Sequence, residues 1–337
     1  MSESAGKTSR AAEVAANVAG ATERRRVQSI REPLSPGAYV EYSVDDQPGV
    51  VERARAYLAG APCEPVAPRR AATVMLVSEG KPHYRRFESP LAGGAPIEET
   101  VDAAPVDVFM LRRASTMAFT PDAVVFPGGG MDARDVECAV PWAGPSPEQW
   151  ARLMSCTEPE ARGIITAAAR EVFEESGVLL ASAPGGAAPI DERGDHWACE
   201  REAVATRQIS FGEFLRERGL VLRSDLMRLR SHWVTPESEA RRYDTYFFLA
   251  RLPKGQHADG RTSEAVEAAW IAPGEALMRF DAGLLKLVPP TISNLTSIVA
   301  ATSVDEAWNT PFDGHVRPHP VARACGEVVL GCEVSET

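Results

Sequence analysis

The chain has 337 residues, 44% hydrophobic and 25% charged, an ordinary globular composition long enough for one large catalytic domain with appendages. Its 36 Lys and Arg against 47 Asp and Glu give a formal charge of -11, which excludes the broad basic face that nucleic-acid binding needs. There is no membrane-length apolar run and no signal-peptide core near the start, and the six cysteines lack CxxC spacing, so a cytoplasmic protein with reduced thiols is expected.

Residues 1–36 are rich in Ala, Ser, Glu and Arg and predict a disordered tail, because their apolar positions are nearly all alanine. Residues 37–70 predict a linker holding one short helix, GVVERARAYLAG, followed by the proline-rich APCEPVAPRR. Ordered structure is expected from residue 71, where AATVMLV is a β-branched apolar run. VDVFMLRR (106–113) and AVVF (123–126) are the next predicted strands, the second running straight into PGGG. SPEQWARLM (146–154) predicts a helix capped by Ser146, Pro147 and Gln149. A longer helix follows, with a Thr157/Glu160 capping box, Pro159 in its first turn and Gly177 at its stop. Downstream come a helix at 211–219, strands at LMRLRSHWV, DTYFFLARL and EAAWIA, a helix entered through Pro273, and an apolar helix at 289–302. This order fits an α+β sandwich, a sheet clasped between helices, over residues 71–305, with 306–337 as a C-terminal extension.

The chemistry concentrates in AAAREVFEESGVLL, residues 167–180. Ile164, Ala168 and Val172 recur every four residues and make a buried stripe, while Glu171, Glu174 and Glu175 fall within an arc of roughly 100° on another face. Crowded carboxylates repel one another. Either solvent and Arg170 screen them, or they form an oxygen-rich site for a hard cation such as Mg²⁺ or Mn²⁺. What surrounds them decides.

REVFEESGV (170–178) matches, residue by residue, the second half of the Nudix box, R-E-U-x-E-E-x-G-U with U apolar. FPGGGMD (126–132) resembles the strand-to-loop entry of that family. The chain is therefore identified as resembling the Nudix hydrolases, which implies an α/β/α sandwich with a mixed sheet. The box is split: its first glycine should stand 14 residues before the arginine, whereas Gly129 stands 41 before Arg170, so about 27 residues are inserted, spanning about 135–161. The early glutamate of the box has no direct equivalent: counting forward from Gly129 gives Asp135, and counting back from Arg170 gives Arg162. A long insertion here resembles the subgroup that includes the mammalian peroxisomal coenzyme A diphosphatase. The stretches 109–132, HWVTPESEARRYDTYFFLA (232–250) and EAVEAAWIAPGEAL (264–277) resemble it too. The chain ends in SET, so peroxisomal targeting is not part of the expectation.

The resemblance implies divalent-metal-dependent hydrolysis of a nucleoside diphosphate linked to X, with coenzyme A or acyl-coenzyme A as the first choice of substrate. ADP-ribose, NADH or a nucleotide sugar is the enzymatic rival, and a non-catalytic ligand-sensing or protein-binding module the other. Glu171, Glu174 and Glu175 are the expected ligands of Mg²⁺ or Mn²⁺, with Arg170 orienting one of them. The general base is left among Glu175, Glu264 and Glu267. Arg112, Arg113, Arg241 and Arg242 are candidate phosphate clamps, since a guanidinium fork matches phosphate oxygens, although each also suits a structural role. Gly128, Gly129 and Gly130 are expected to let the backbone pass close to metal and phosphate. The partners implied are a small-molecule diphosphate and, as one arrangement, a second copy in a homodimer. His315 and His319 have H-x3-H spacing but no accompanying cysteine pair, which argues against structural zinc.

Overall fold

A computed structural model of the chain describes residues 33–62, 64–80, 104–117, 120–137, 140–186, 195–262 and 265–336. In chain order β1 (Tyr39–Ser43), α1 (Pro48–Leu58), β2 (Arg69–Glu79), β3 (Val106–Arg113), β4 (Val124–Val125) and β5 (Gly128–Gly130) lead into the insertion. The insertion holds α2 (Ala133–Glu137), β6 (Trp142–Ala143) and α3 (Pro147–Met154), and α4 (Glu158–Ser176) carries the box glutamates. β7 (Ala181–Ser182), α5 (Asp195–Ala205), α6 (Phe211–Glu217) and β8 (Val221–Arg223) precede the long strands β9 (Met227–Val234), β10 (Tyr243–Arg251) and β11 (Ala265–Ile271). The chain then forms α7 (Pro273–Asp281), α8 (Pro289–Ile298), α9 (Val304–Asn309), β12 (His315–Ala322) and β13 (Val328–Ser335).

Among the described residues, ten strands form one mixed sheet in the order β1-β13-β12-β9-β10-β2-β3-β11, with β4 on β3 and β5 on β2. The pairs β10–β2 and β12–β9 are parallel and the others antiparallel. Side chains alternate across each strand, so the sheet builds two cores. Val74, Leu76, Tyr246 and Phe248 face α4 and its neighbours, while Met75, Val77, Phe247 and Leu249 face α7 and α8. Helices on both faces make the α/β/α sandwich expected from the sequence. No helix among the described residues is long and apolar enough to cross a membrane.

The ends of the chain depart from the sequence reading. Leu34, placed in the tail, is buried, and β1, placed in the linker, pairs with β13 from Tyr39↔Glu333 to Ser43↔Val329. The segment read as an extension supplies β12 and β13, and Cys332 and Val334 enter the second core. The alternating apolar residues of the two ends bury each other, a long-range pairing that leaves no local sequence signal.

α4 owes its length to its ends. Thr157 Oγ1 accepts from the Glu160 amide, Glu160 Oε2 accepts from the Thr157 amide at 3.0 Å, and Gly177 closes the helix at φ 73° in the left-handed region. Between the caps the helix is buried nearly all round, since the sheet covers one side and α3, α5 and α6 the others. Beside the glutamates' recess, Phe173 stacks on Phe214 at 5.0 Å and meets Trp197 edge-on at 5.4 Å. The insertion packs alongside: a Cβ at Gly163 would lie 2.6 Å from Met131 Sδ and Val136 Cγ2, so this glycine lets α2 lie against α4. Farther along, β6 joins a small sheet through β8 to β7.

The start of α4 is tied to the last third of the chain by a polar chain. Glu160 Oε1 accepts from Arg70 at 3.0 Å, Arg70 Nη1 reaches Asp244 Oδ2 at 2.5 Å, and the other Asp244 oxygen accepts from His232 Nε2. With that tautomer, His232 Nδ1 accepts from His315 Nδ1 at 2.6 Å. Burial, helped by the neighbouring His232, pushes the His315 imidazole down from 6.5 to about 4. The folded protein thus keeps His315 neutral between about pH 4 and 6.5, where the unfolded chain binds its proton, so stability present above pH 6.5 is lost as pH falls through that window. Urea unfolding at pH 7 and pH 5 should show the loss, on the order of 2 kcal/mol for a shift of this size. H315Q keeps a donor but cannot titrate; it should remove that part of the slope, and identical slopes would refute the assignment.

Candidate active site

One edge of β2 is shared between two partners, and this builds the site. Its second half pairs with β3, while its first half pairs with β5 at Ala71↔Gly130, Ala72↔Gly129 and Thr73↔Gly128, laying the glycine turn across α4. The approach is too close for side chains. A Cβ at Gly128 would lie 2.6 Å from the Ala72 carbonyl, and one at Gly129 would lie 2.5 Å from Glu171 Oε1. Stripped of side chains, the turn presents its backbone to the acids: the Gly128 amide donates to Glu175 Oε2 at 2.9 Å, and the Gly130 carbonyl accepts from Arg170 Nη2 at 2.9 Å.

Arg170 is the hub. Its Nε and Nη2 donate to the two oxygens of Asp135, each at 3.0 Å, and its Nη1 reaches Glu171 at 2.8 Å and Glu174 at 3.2 Å. Burial opposes the charge, but Glu171, Asp135 and Glu174 outweigh it and hold the guanidinium protonated, above its ordinary value. Asp135 is itself fixed, since its Oδ2 also accepts from the Asp132 amide at 2.8 Å. At the C-terminal end, Arg201 Nε donates to the Glu174 carbonyl at 2.9 Å and Arg201 Nη1 pairs with Asp259 at 2.5 Å, a cation placed where the helix dipole favours one.

Glu171 and Glu175 are buried beneath the glycine turn, whereas Glu174, its side chain 16% exposed, borders a small recess with Asp132, Arg134, Arg207 and Arg170. Asp132 lies between two arginines, 3.3 Å from Arg134 and 3.5 Å from Arg207, and its hydrogen bonds from Arg134 hold its carboxyl below the ordinary value. Arg207 adopts φ 62°, a backbone conformation that costs a non-glycine residue energy. Its carbonyl accepts from Arg134 Nη1 at 3.0 Å, which ties the loop after α5 to α2.

The structure brings Arg170, Glu171, Glu174, Glu175 and Gly128–Gly130 together. It does not bring the other predicted residues to them. Glu267 pairs with Arg112 at 2.9 Å, opposite it in the β3–β11 register, and by strand alternation the pair lies on the sheet face away from α4, since Leu111 faces the α4 core. Arg113 stands at the end of β3, where Ala265 pairs with it; Arg241 is exposed on the β9–β10 turn. Arg242 donates to the carbonyls of Thr235 and Val66 at 3.0 and 2.9 Å, well away from α4's glutamates. Glu264 lies outside the described residues. Of the two positions counted for the early box glutamate, Asp135 makes the ion pair, while Arg162 pairs with Glu158 one turn back on α4 at 3.7 Å. Arg134 and Arg207 are recess residues that sequence reasoning missed. Arg134 could have been noticed between the two aspartates of MDARD; Arg207 had no signal.

The donor set suits a hard divalent cation: oxygen ligands only, three carboxylates on one helix face, and a turn whose lack of side chains leaves room beside Glu171. Among the described residues no three acid, His or Cys side chains already converge on one point, because Glu171 and Glu174 lean on Arg170 and Glu175 on the Gly128 amide.

Comparison with known proteins agrees with this geometry. The family model for the NUDT19 Nudix domain matches residues 151–298. The acyl-coenzyme A diphosphatase NUDT19 of Gallus gallus is 30% identical over 282 residues, covering 71% of this chain and 70% of its own. The human protein of the same name is 27% identical over 273 residues, with 71% and 70% covered. A crystal structure of a Nudix hydrolase from Alicyclobacillus acidocaldarius is 26% identical and superposes with a TM-score of 0.54 over 74% of this chain and 99% of that one. With the box acids gathered under the glycine turn and relatives of this similarity, the chain belongs to the Nudix hydrolases, in the NUDT19 group, and is a diphosphatase.

Proposed function

We propose that this enzyme hydrolyses the diphosphate of coenzyme A or an acyl-coenzyme A by attack of water at phosphorus, releasing adenosine 3',5'-bisphosphate and a 4'-phosphopantetheine product. The observation that carries the reading is the patch of Glu171, Glu174 and Glu175 held against Gly128–Gly130 by Arg170. The substrate class is supported by the relatives, which are named acyl-coenzyme A diphosphatases.

Glu171, Glu174 and Glu175 would hold Mg²⁺ or Mn²⁺, whose positive charge offsets the repulsion between phosphoryl oxygens and the incoming lone pair and lowers the pKa of bound water. The protein's own groups divide the remaining work. Glu175, pinned by the Gly128 amide, and Glu171, pinned by Arg170, are fixed donors. Glu174 borders the recess and takes the proton from the attacking water, which passes to solvent after the bond breaks. Asp135 acts through Arg170: it fixes the guanidinium from the far side, and so positions Glu171 and Glu174.

Two measurements test this. Incubation with coenzyme A, acyl-coenzyme A, ADP-ribose, NADH and a nucleotide sugar in Mg²⁺ or Mn²⁺, with products identified, should give turnover of the coenzyme A derivatives; none would sink the substrate choice. E174Q should lower kcat by about 100-fold or more without lowering the unfolding midpoint, since it removes one of several crowded negative charges; wild-type activity in this variant would remove Glu174 from the mechanism.

D135N should weaken the grip on Arg170, costing roughly 1–3 kcal/mol of stability and about 10- to 100-fold in activity. R152A, removing the exposed Arg152–Glu148 pair on α3, should change neither. Equal effects of the two variants, by urea unfolding and initial rates, would remove the special role of Asp135.

A further inference from the structure

We propose that a cavity of about 380 Å³ on the α4 side of the sheet binds a phosphate-bearing ligand of nucleotide size, separately from the catalytic glutamates. The cavity exists because the sheet splits. β12 is hydrogen-bonded to β9 only at His315↔His232 and Val316↔Trp233, and then continues with β13 alone. Prolines at 318 and 320 cannot donate to a neighbouring strand, and β9 turns away after Val234 through Thr235 and Pro236. The gap between the two lines opens as the cavity, closed at one side by Tyr57 of α1. Its volume lies in the range of small-molecule sites, roughly 300–1,000 Å³.

The charges lining it point to an anion. Arg317 and His319 are exposed and, two apart on β12, face the same side. Among the described residues no hydrogen bond or ion pair holds Arg317. Arg242 is fixed from behind, its Nε and Nη1 spent on the carbonyls of Thr235 and Val66, while its Nη2 has no partner among the described residues. A guanidinium held rigidly by carbonyls with donors to spare is suited to oxyanions. Of the two acids in the lining, Asp244 is paired with Arg70 and bonded to His232, and Glu237 accepts from the Tyr57 hydroxyl at 3.5 Å. The proline rings at 68, 236, 318 and 320 and the Tyr57 ring add apolar surface to the lining, which suits a base or acyl portion.

The place is distinct from the catalytic recess. Asp244 in the cavity wall reaches, through Arg70, Glu160 at the start of α4, and Glu174 lies 14 residues farther along that helix, on the order of 20 Å by helix rise.

Isothermal titration of the full chain with ADP and with pyrophosphate, in EDTA so that no metal supports binding among the box acids, tests the proposal. ADP should bind the wild type, and pyrophosphate more weakly because it leaves the apolar surface unused. R317A, which breaks no contact among the described residues, should weaken ADP binding by about tenfold or more, and R242K, which keeps charge but loses the fork, should weaken it too. E174Q and R134A should bind like wild type. No ADP binding up to millimolar concentration, binding insensitive to R317A and R242K, or binding lost in R134A would overturn the proposal, and pyrophosphate binding as tightly as ADP would overturn its nucleotide size.

Discussion

The site depends on one guanidinium. Three glutamates on one helix face repel one another, and they sit under a turn that removes much of the water that would screen them. Arg170 offsets this by bonding to Glu171, Glu174, Asp135 and the Gly130 carbonyl at once, a five-donor fork filled on every side. A lysine could supply the charge, but not a planar fork that spans the insertion, the glycine turn and the helix together. Because burial alone would discharge a cation, the acids and the arginine each make the other tolerable, and neither half of the arrangement is stable by itself.

That mutual dependence explains how the box survives being split. An insertion of this length adds little to the entropy of closing the loop, since that cost rises only logarithmically with length. What matters is that its first residues still deliver Asp135 to Arg170, and its last residues still cap α4 through Thr157. Between these points the chain is free to do something else, and it builds α3 and a strand that joins β8. The insertion is thus anchored at one end by Asp135 on Arg170 and at the other by the Thr157 cap of α4.

Much of this was legible locally. The caps of α4, the glycine turn and the carboxylate face all rest on short-range rules, and the structure has each where the sequence places it. Long-range pairing was not legible. Arg112 was a candidate phosphate clamp because a guanidinium fork matches phosphate oxygens, yet it pairs with the residue opposite, Glu267, and register across β3 and β11 has no signature in either segment. The ends of the chain misled for the same reason: prolines in HVRPHP argue against a strand, and only β13 alongside makes β12 one. Asp135 was a borderline case, named as one of two positions by counting and decided only by geometry.

The two ends of the catalytic helix are held by quite different means, and this bears on what the rest of the fold is for. At its C-terminal end Arg201 and the Asp259 loop grip the backbone next to Glu174, local contacts that fix the acids directly. At its N-terminal end Glu160 is reached through Arg70 and Asp244 by His232 and His315, so the helix start is registered against strands from the last third of the chain. A helix clamped at one end could still pivot, and a pivot at Glu160 would swing Glu174 by far more than a hydrogen-bond length. β12 and β13 are therefore part of what keeps the carboxylates in place, although they lie far from them in sequence and space. The same strand that supplies His315 to this chain of contacts supplies Arg317 to the cavity two residues later, so a ligand bound there would contact the strand that steadies the catalytic helix.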